Sequence, residues 1–198
     1  IAFLDEIFKA SSSILNTLLS VLNERVYYNG DEVIQVPLRT LISASNEIPD
    51  EPELEALYDR LLIRHFVKPI DQGLIRDLLK ASWAFEFKKE KVQKVMNVED
   101  LDKIHELIEH VDFSQILDKL IDLILTFESK NIHITDRRKG KILKMVAAHA
   151  VLNGRLTAVE DDLIVLKYIV PNDEDELMKV SGILFEKIKT VERYLKEL

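Results

Sequence analysis

The chain has 198 residues, 47% of them hydrophobic, and sets 35 acidic side chains against 27 Lys and Arg for a net charge of -8. That balance argues against a broad grip on nucleic acid or on an anionic membrane, both of which need excess positive charge. No apolar run approaches the roughly 20 residues a bilayer crossing needs. The absence of cysteine excludes disulfides and thiolate chemistry and fits a reducing cytoplasm. The length suffices for one large or two small domains, and a first residue of Ile instead of Met suggests a piece of a longer protein.

At the start, Ile1-Ala2-Phe3-Leu4 runs straight into Asp5-Glu6. An apolar run ending on adjacent carboxylates predicts a buried parallel strand that presents two acids at its carboxyl edge, where open α/β sheets bind ligands. A solvated acidic turn is the competing reading. Beside a nucleotide phosphate, Asp5 is placed to hold a divalent ion, through water, and Glu6 to polarise the attacking water. Ser11-Ser12-Ser13 offers caps, and Ile14, Leu15, Leu18, Leu19 and Leu22 recur at helical spacing, predicting a helix from about Ser12 to Glu24. Val26-Tyr27-Tyr28 and Val33-Ile34-Gln35-Val36 flank Asn29-Gly30, which predicts a β-hairpin.

Residues 38–45 read as a second buried strand ending on Asn46, whose amide can orient water or donate to phosphate without titrating. Pro49 and Pro52 mark a loop, a short helical stretch follows over residues 54–60, and residues 61–67 read as a further strand closed by Pro69. Beyond Pro69 the pattern is helical. Apolar spacing predicts helices around Leu74 to Trp83, Leu101 to Val111 and Leu117 to Leu125. Lys88-Lys89-Glu90-Lys91 reads as a solvated charged face, since Glu86 and Glu90 interleave it.

Thr135 is a good cap for a helix with Ile142, Leu143, Val146, Ala147 and Ala150 on its apolar side and Gly154 at its end. Arg137 and Arg138 in its first turn oppose the helix dipole, so an anion is expected to compensate them. Salt bridges to Asp136 or nearby acids would do the same. Thr157 with Glu160 reads as a capping box opening a helix that stops before Pro171. Leu177, Val180, Leu184, Ile188, Val191 and Leu195 then form a stripe that closes a core or zips against a partner. His65, His105, His110, His133 and His149 lack zinc-ligand or nucleophile spacing and read as structural or solvated.

FLDEI, ILNTLLSVLNER, the Asn-Gly hairpin, SASNE and ALYDRLLIR, in this order and at these separations, resemble AAA+ ATPases of the MoxR family, closest to the branch called regulatory ATPase variant A. The resemblance implies an α/β plus all-α fold: residues 1–68 as the C-terminal part of a parallel-sheet nucleotide-binding core, and 69–198 as an α-helical lid. It makes Asp5 and Glu6 the Walker B pair, with Asp5 toward Mg2+ and Glu6 catalytic, Asn46 sensor 1, and Arg60 the arginine finger, with Arg64 the alternative. It makes Arg137 the sensor 2 phosphate contact and Arg138 its neighbour. ATP and Mg2+ are implied, as are a homo-oligomeric, hexameric ring, chaperone-like remodelling of client proteins, and partners with von Willebrand factor A domains. No G-x-x-x-x-G-K-[ST] occurs in the chain, so these 198 residues are expected to be inactive alone. The strand carrying that loop in the family lies between the strand ending at Asn46 and the one holding Ile63. A non-catalytic interaction module is the competing class, and a nucleic-acid motor is disfavoured by Asp31 and Glu32 at the hairpin tip.

Overall fold

The computed structural model describes residues 1–49, 52–87 and 94–188. Strand β1 (Ala2–Leu4) is followed by a 3-10 turn (Ile7–Lys9), helix α1 (Ser12–Glu24), β2 (Val26–Asn29), β3 (Glu32–Gln35), β4 (Leu41–Ser43) and α2 (Pro52–Tyr58). Strands β1 and β4 pair in parallel, with Ala2 opposite Leu41 and Leu4 opposite Ser43. Their ladder continues as Ala44 N–H donates to Leu4 O at 3.0 Å and Ile7 N–H to Ala44 O at 3.3 Å.

One face of this pair is covered. Leu4 and Leu41 pack against a cluster of Ile7, Leu15, Leu54 and Leu57, to which α1 adds Leu18, Leu19 and Leu22. The other face carries Phe3 and Ile42, both exposed. The strands are therefore buried on one side, not on both as their apolar runs suggest, because α1 and α2 supply a single helical layer. The predicted helix over Ser12–Glu24 forms with those bounds. The hairpin forms too, pairing Tyr27 with Ile34 and Tyr28 with Val33 around Gly30, whose φ of 61° lies in the left-handed region that glycine adopts at least cost.

The strand expected over residues 61–67 does not form. No described strand lies alongside to pair with it, and its one backbone bond of this kind runs from Arg64 N–H to Tyr168 O at 2.8 Å, into the helical half. Leu61 packs with the first cluster and Leu62 with the second, so this segment is the seam between them.

The helical half contains α3 (Ile75–Phe87), α4 (Val98–Ile108), α5 (Leu117–Ser129), α6 (Asp136–Leu152), α7 (Leu166–Ile169) and α8 (Glu174–Lys187). Its core runs from Val111 to Ile188 and includes Leu123, Phe127, Ile142, Val146, Leu163, Leu166 and Leu184. Each such side chain contributes roughly 1.5–3 kcal/mol of burial. Helix α3 stands apart and buries nothing, its Leu79, Trp83 and Phe85 all exposed.

Caps fix the helix starts. Asn97 and Asp100 form a capping box on α4, Thr135 Oγ1 accepts from Arg138 N–H on α6, and Asp173 accepts from Glu176 N–H on α8 at 2.7 Å. The box expected from Thr157 and Glu160 does not occur. Thr157 is drawn into a parallel bridge with Asp112, and Asp162 instead accepts from Val159 N–H at 2.8 Å, opening a 3-10 helix (Glu160–Val165). No described helix is long and apolar enough to cross a membrane. The basic cluster Lys88-Lys89-Glu90-Lys91 and the end of the apolar stripe, Val191 and Leu195, lie outside the described residues.

Candidate nucleotide site

Parallel pairing places the carboxyl ends of β1 and β4 side by side, so Asp5-Glu6 and Asn46 share one edge of the sheet. Asn46 Nδ2 donates to Glu6 Oε1 at 2.7 Å. The chain turns sharply here: Glu6 sits at φ 50°, ψ 42°, a left-handed conformation rare outside glycine and concentrated at functional sites. Asp5 Oδ1 accepts from Glu6 N–H at 3.0 Å and holds that turn.

The second oxygen, Glu6 Oε2, is buried and has no aligned donor. Lys9 Nζ lies 3.2 Å from it as an ion pair, and that contact with the Glu6 carboxylate raises the Lys9 pKa. Beyond this edge opens a cavity of about 990 Å3, walled by Ser45, Asn46 and Ile48 on one side and by Ile63, His65 and Val67 on the other. It occupies the space between β4 and the unformed strand.

A second group gathers at the end of α2. Phe8, two residues past Glu6, packs edge-on against Tyr58 with ring centroids 5.8 Å apart and connects the two groups. Arg60 donates through Nε to Asn23 Oδ1 at 2.8 Å and through Nη1 to Ala56 O at 2.5 Å; burial and the nearby Arg137 lower its pKa. Arg64 turns inward. Its guanidinium stacks 3.8 Å from the Tyr58 ring and donates to Tyr58 O, Pro171 O and Asn172 Oδ1. Of the two arginines, Arg60 is thus the one less enclosed.

The structure separates Arg137 from Arg138. Arg137 is half exposed and pairs with Asp59 Oδ2 at 3.3 Å, which supplies the anion that its place in the first turn of α6 demands. Arg138 is fully buried, donating to Asn172 Oδ1 at 2.8 Å and Val170 O at 2.9 Å. Burial, with Arg64 close by, pushes its pKa down to about 10. This corrects the expectation that Arg138 stands beside Arg137 at a phosphate: its hydrogen bonds tie α6 to the turn between α7 and α8. Asp59, Lys9 and Arg64 were not singled out by sequence reasoning for these contacts. Asp59 carried only the weak signal of preceding Arg60.

A parallel-strand edge bearing an acidic pair and an amide is followed here by a helical bundle, and the matches to known proteins show this fold to be that of the AAA+ nucleotide-binding proteins. Residues 1–106 match the model of the MoxR domain in MoxR-vWA-beta-propeller ternary systems, and residues 102–184 match an AAA lid domain. The chain belongs to the MoxR family. It is 46% identical over 187 residues to uncharacterized protein MJ0812 of Methanocaldococcus jannaschii, covering 94% of this chain and 49% of that protein. To uncharacterized protein MJ0079 of the same organism it is 42% identical over 188 residues, covering 94% and 48%. The chain therefore spans about half the length of these curated relatives. A crystal structure of a candidate ATPase from Cytophaga hutchinsonii superposes with a TM-score of 0.71 at 18% identity, covering 96% of this chain and 64% of that one, which establishes likeness of fold.

Proposed function

We propose that the chain forms the hydrolytic edge and lid of a MoxR-type ATPase, closest to the regulatory ATPase variant A branch, and begins at that enzyme's Walker B strand. The observation that carries this reading is the Glu6 carboxylate. One oxygen is fixed by Asn46 at 2.7 Å and the other is buried with only the ammonium of Lys9, 3.2 Å away, beside it, an anchored carboxylate kept charged, as a base accepting hydrogen from a water requires. Held by Asn46, Glu6 keeps its carboxylate plane oriented at no cost when the water arrives.

The residues also fit Mg2+. Asp5, a single carboxylate at the strand's carboxyl end beside Glu6 and Asn46, suits an ion that keeps most of its waters and phosphate ligands. When bound, Mg2+ would supply neutralisation of phosphate charge. Arg60 would reach a neighbouring subunit's phosphate and Arg137 its own subunit's, so that turnover requires a ring, on family resemblance a hexamer.

We assign such a ring to chaperone-like remodelling of client proteins in the cytoplasm. The family model's naming of MoxR-vWA-beta-propeller systems supports a partner with a von Willebrand factor A domain. The phosphate loop, absent from these residues, would come from elsewhere in the complete polypeptide. The test there is Glu6→Gln, which keeps the Asn46 bond and removes the charge: ATP should still bind while turnover falls about a hundredfold or more. Unchanged turnover would remove Glu6 from the reaction.

A further inference from the structure

The Glu6 carboxylate is held from two sides. Asn46 Nδ2 reaches Oε1 at 2.7 Å from the neighbouring strand, and Lys9 Nζ reaches Oε2 at 3.2 Å from three residues further along the same turn. The second contact follows from the backbone. The left-handed φ of Glu6 ends the strand, and the 3-10 turn Ile7–Lys9 begins at once, with Lys9 N–H donating to Glu6 O at 2.9 Å. Both residues between are pinned, Ile7 by burial and Phe8 by its edge-on packing against Tyr58. The turn therefore brings the Lys9 side chain back over the carboxylate it started from.

The two oxygens are not equivalent. Oε2 is buried, and among the described residues the one cation paired with it is the Lys9 ammonium. Oε1 has given one lone pair to Asn46 and keeps another. A water that loses hydrogen to Glu6 must then meet Oε1, beside an amide that can also orient it. A single bond from Asn46 does not secure that arrangement, because the last torsion of a glutamate is broad and nearly two-fold, so the carboxylate can turn about it and exchange its oxygens. A cation at Oε2 opposes that rotation.

We propose that Lys9 is a positioning residue for the hydrolytic base: by pinning Oε2 while Asn46 holds Oε1, it fixes the carboxylate plane and makes Oε1 the oxygen that takes hydrogen from water. This rests on the role given above to Glu6. Lys9 acts through Glu6 and not on the nucleotide. Its side chain is 56% exposed, so the pair adds little to stability, and what it supplies is orientation.

The test uses the complete polypeptide and reads turnover, ATP affinity and urea unfolding side by side. Lys9→Met, which keeps the length of the side chain and removes its charge, should lower kcat about tenfold, since a misplacement of about 1 Å at a reacting group can cost as much as a hundredfold. ATP affinity and the urea midpoint should stay at their wild-type values. Lys9→Arg, which keeps a cation within reach of Oε2, should recover most of the loss. In the Glu6→Gln background Lys9→Met should lower turnover no further, because a neutral amide gives the ammonium nothing to pin. A kcat that is unchanged or raised in Lys9→Met, a loss that Lys9→Arg does not recover or that comes with weaker ATP binding or a lower urea midpoint, or a tenfold loss that persists on top of Glu6→Gln overturns the proposal and leaves Glu6 standing as the base. If Glu6→Gln alone keeps its turnover, the reading of Glu6 falls and this inference falls with it.

Discussion

Replacing Asp162 by Asn should loosen the helical half by about 2–4 kcal/mol, an amount that follows from what surrounds its carboxylate. Asp162 is fully buried. Oδ2 accepts from Arg155 Nη1 at 2.6 Å and from Val159 N–H at 2.8 Å, while Oδ1 accepts from Arg155 Nη2 at 2.7 Å and lies 2.7 Å from His149 Nδ1. An asparagine can keep one of those oxygens. Its NH2 then confronts an Arg155 donor, so a charge-assisted bond worth roughly 1.5–3 kcal/mol is lost and the remaining Arg155 bond loses its anionic partner. Breaking a fully buried ion pair costs about 3–5 kcal/mol. Arg155 is one-third exposed and can turn toward water, which discounts that figure. Burial alone would push the Asp162 carboxyl up, but Arg155, Val159 N–H and His149 together hold it below its ordinary value of 3.8. A carboxylate whose folded pKa is depressed stabilises the fold above its unfolded pKa and loses that contribution as pH falls through the folded one. The difference between the wild-type chain and Asp162→Asn should therefore be constant near neutrality and shrink below about pH 4. Hydrogen exchange of the α6 amides, read against pH, measures both quantities. A loss below about 1 kcal/mol, or one that persists unchanged in acid, would refute the argument.

Two further changes test the packing. Leu57→Ala, at a fully buried position beneath the strand pair, should cost about 2–5 kcal/mol in urea unfolding, and a cost near zero would mean the small cluster does not hold β1, β4 and α2 together. Arg138→Met removes the donor to Val170 O and should cost about 1–3 kcal/mol at neutral pH. Because burial depresses the Arg138 pKa to about 10, its charge opposes folding below that value, and the wild-type chain should gain on Arg138→Met as the pH rises through about 10; a constant gap in alkaline unfolding would refute it.

Local signals were legible in the sequence and non-local ones were not. The helix over Ser12–Glu24 and the hairpin at Asn29-Gly30 follow from periodicity and from one residue free to take positive φ, and both formed as expected. Glu6 and Asn46 could be placed together because each ends an apolar strand, and parallel strands bring their ends to one edge. Residues 61–67 looked equally strand-like, yet a strand needs a neighbour, and here Arg64 is captured by Tyr58 of α2 and by Tyr168, Pro171 and Asn172 from the helical half. Thr157 had the composition of a cap, but its backbone is used against Asp112, so Asp162 does the capping. The Asp59 pairing joins residues 76 and 78 positions apart, beyond any spacing rule. The paired arginines carried half of that information, since their place against the α6 dipole required an anion without saying which.

The two halves differ in how far their apolar residues are used, and the difference bears on function. In the helical half the core is closed: Phe127, Ile142, Val146, Leu163 and Leu184 are all fully buried. In the sheet half Phe3, Ile42, Ile63 and Val67 stay exposed, and they lie on the uncovered face of β1 and β4 or along the cavity between β4 and the seam. Apolar side chains spaced for two-sided burial on a two-stranded parallel pair describe a surface that is stabilised when further strands or helices cover it. The catalytic candidates Asp5, Glu6 and Asn46 sit at the rim of that same surface. A layer that covers that surface would also border Asp5, Glu6 and Asn46, so the hydrophobic demand of the sheet and the enclosure of the candidate site would be met by the same contact.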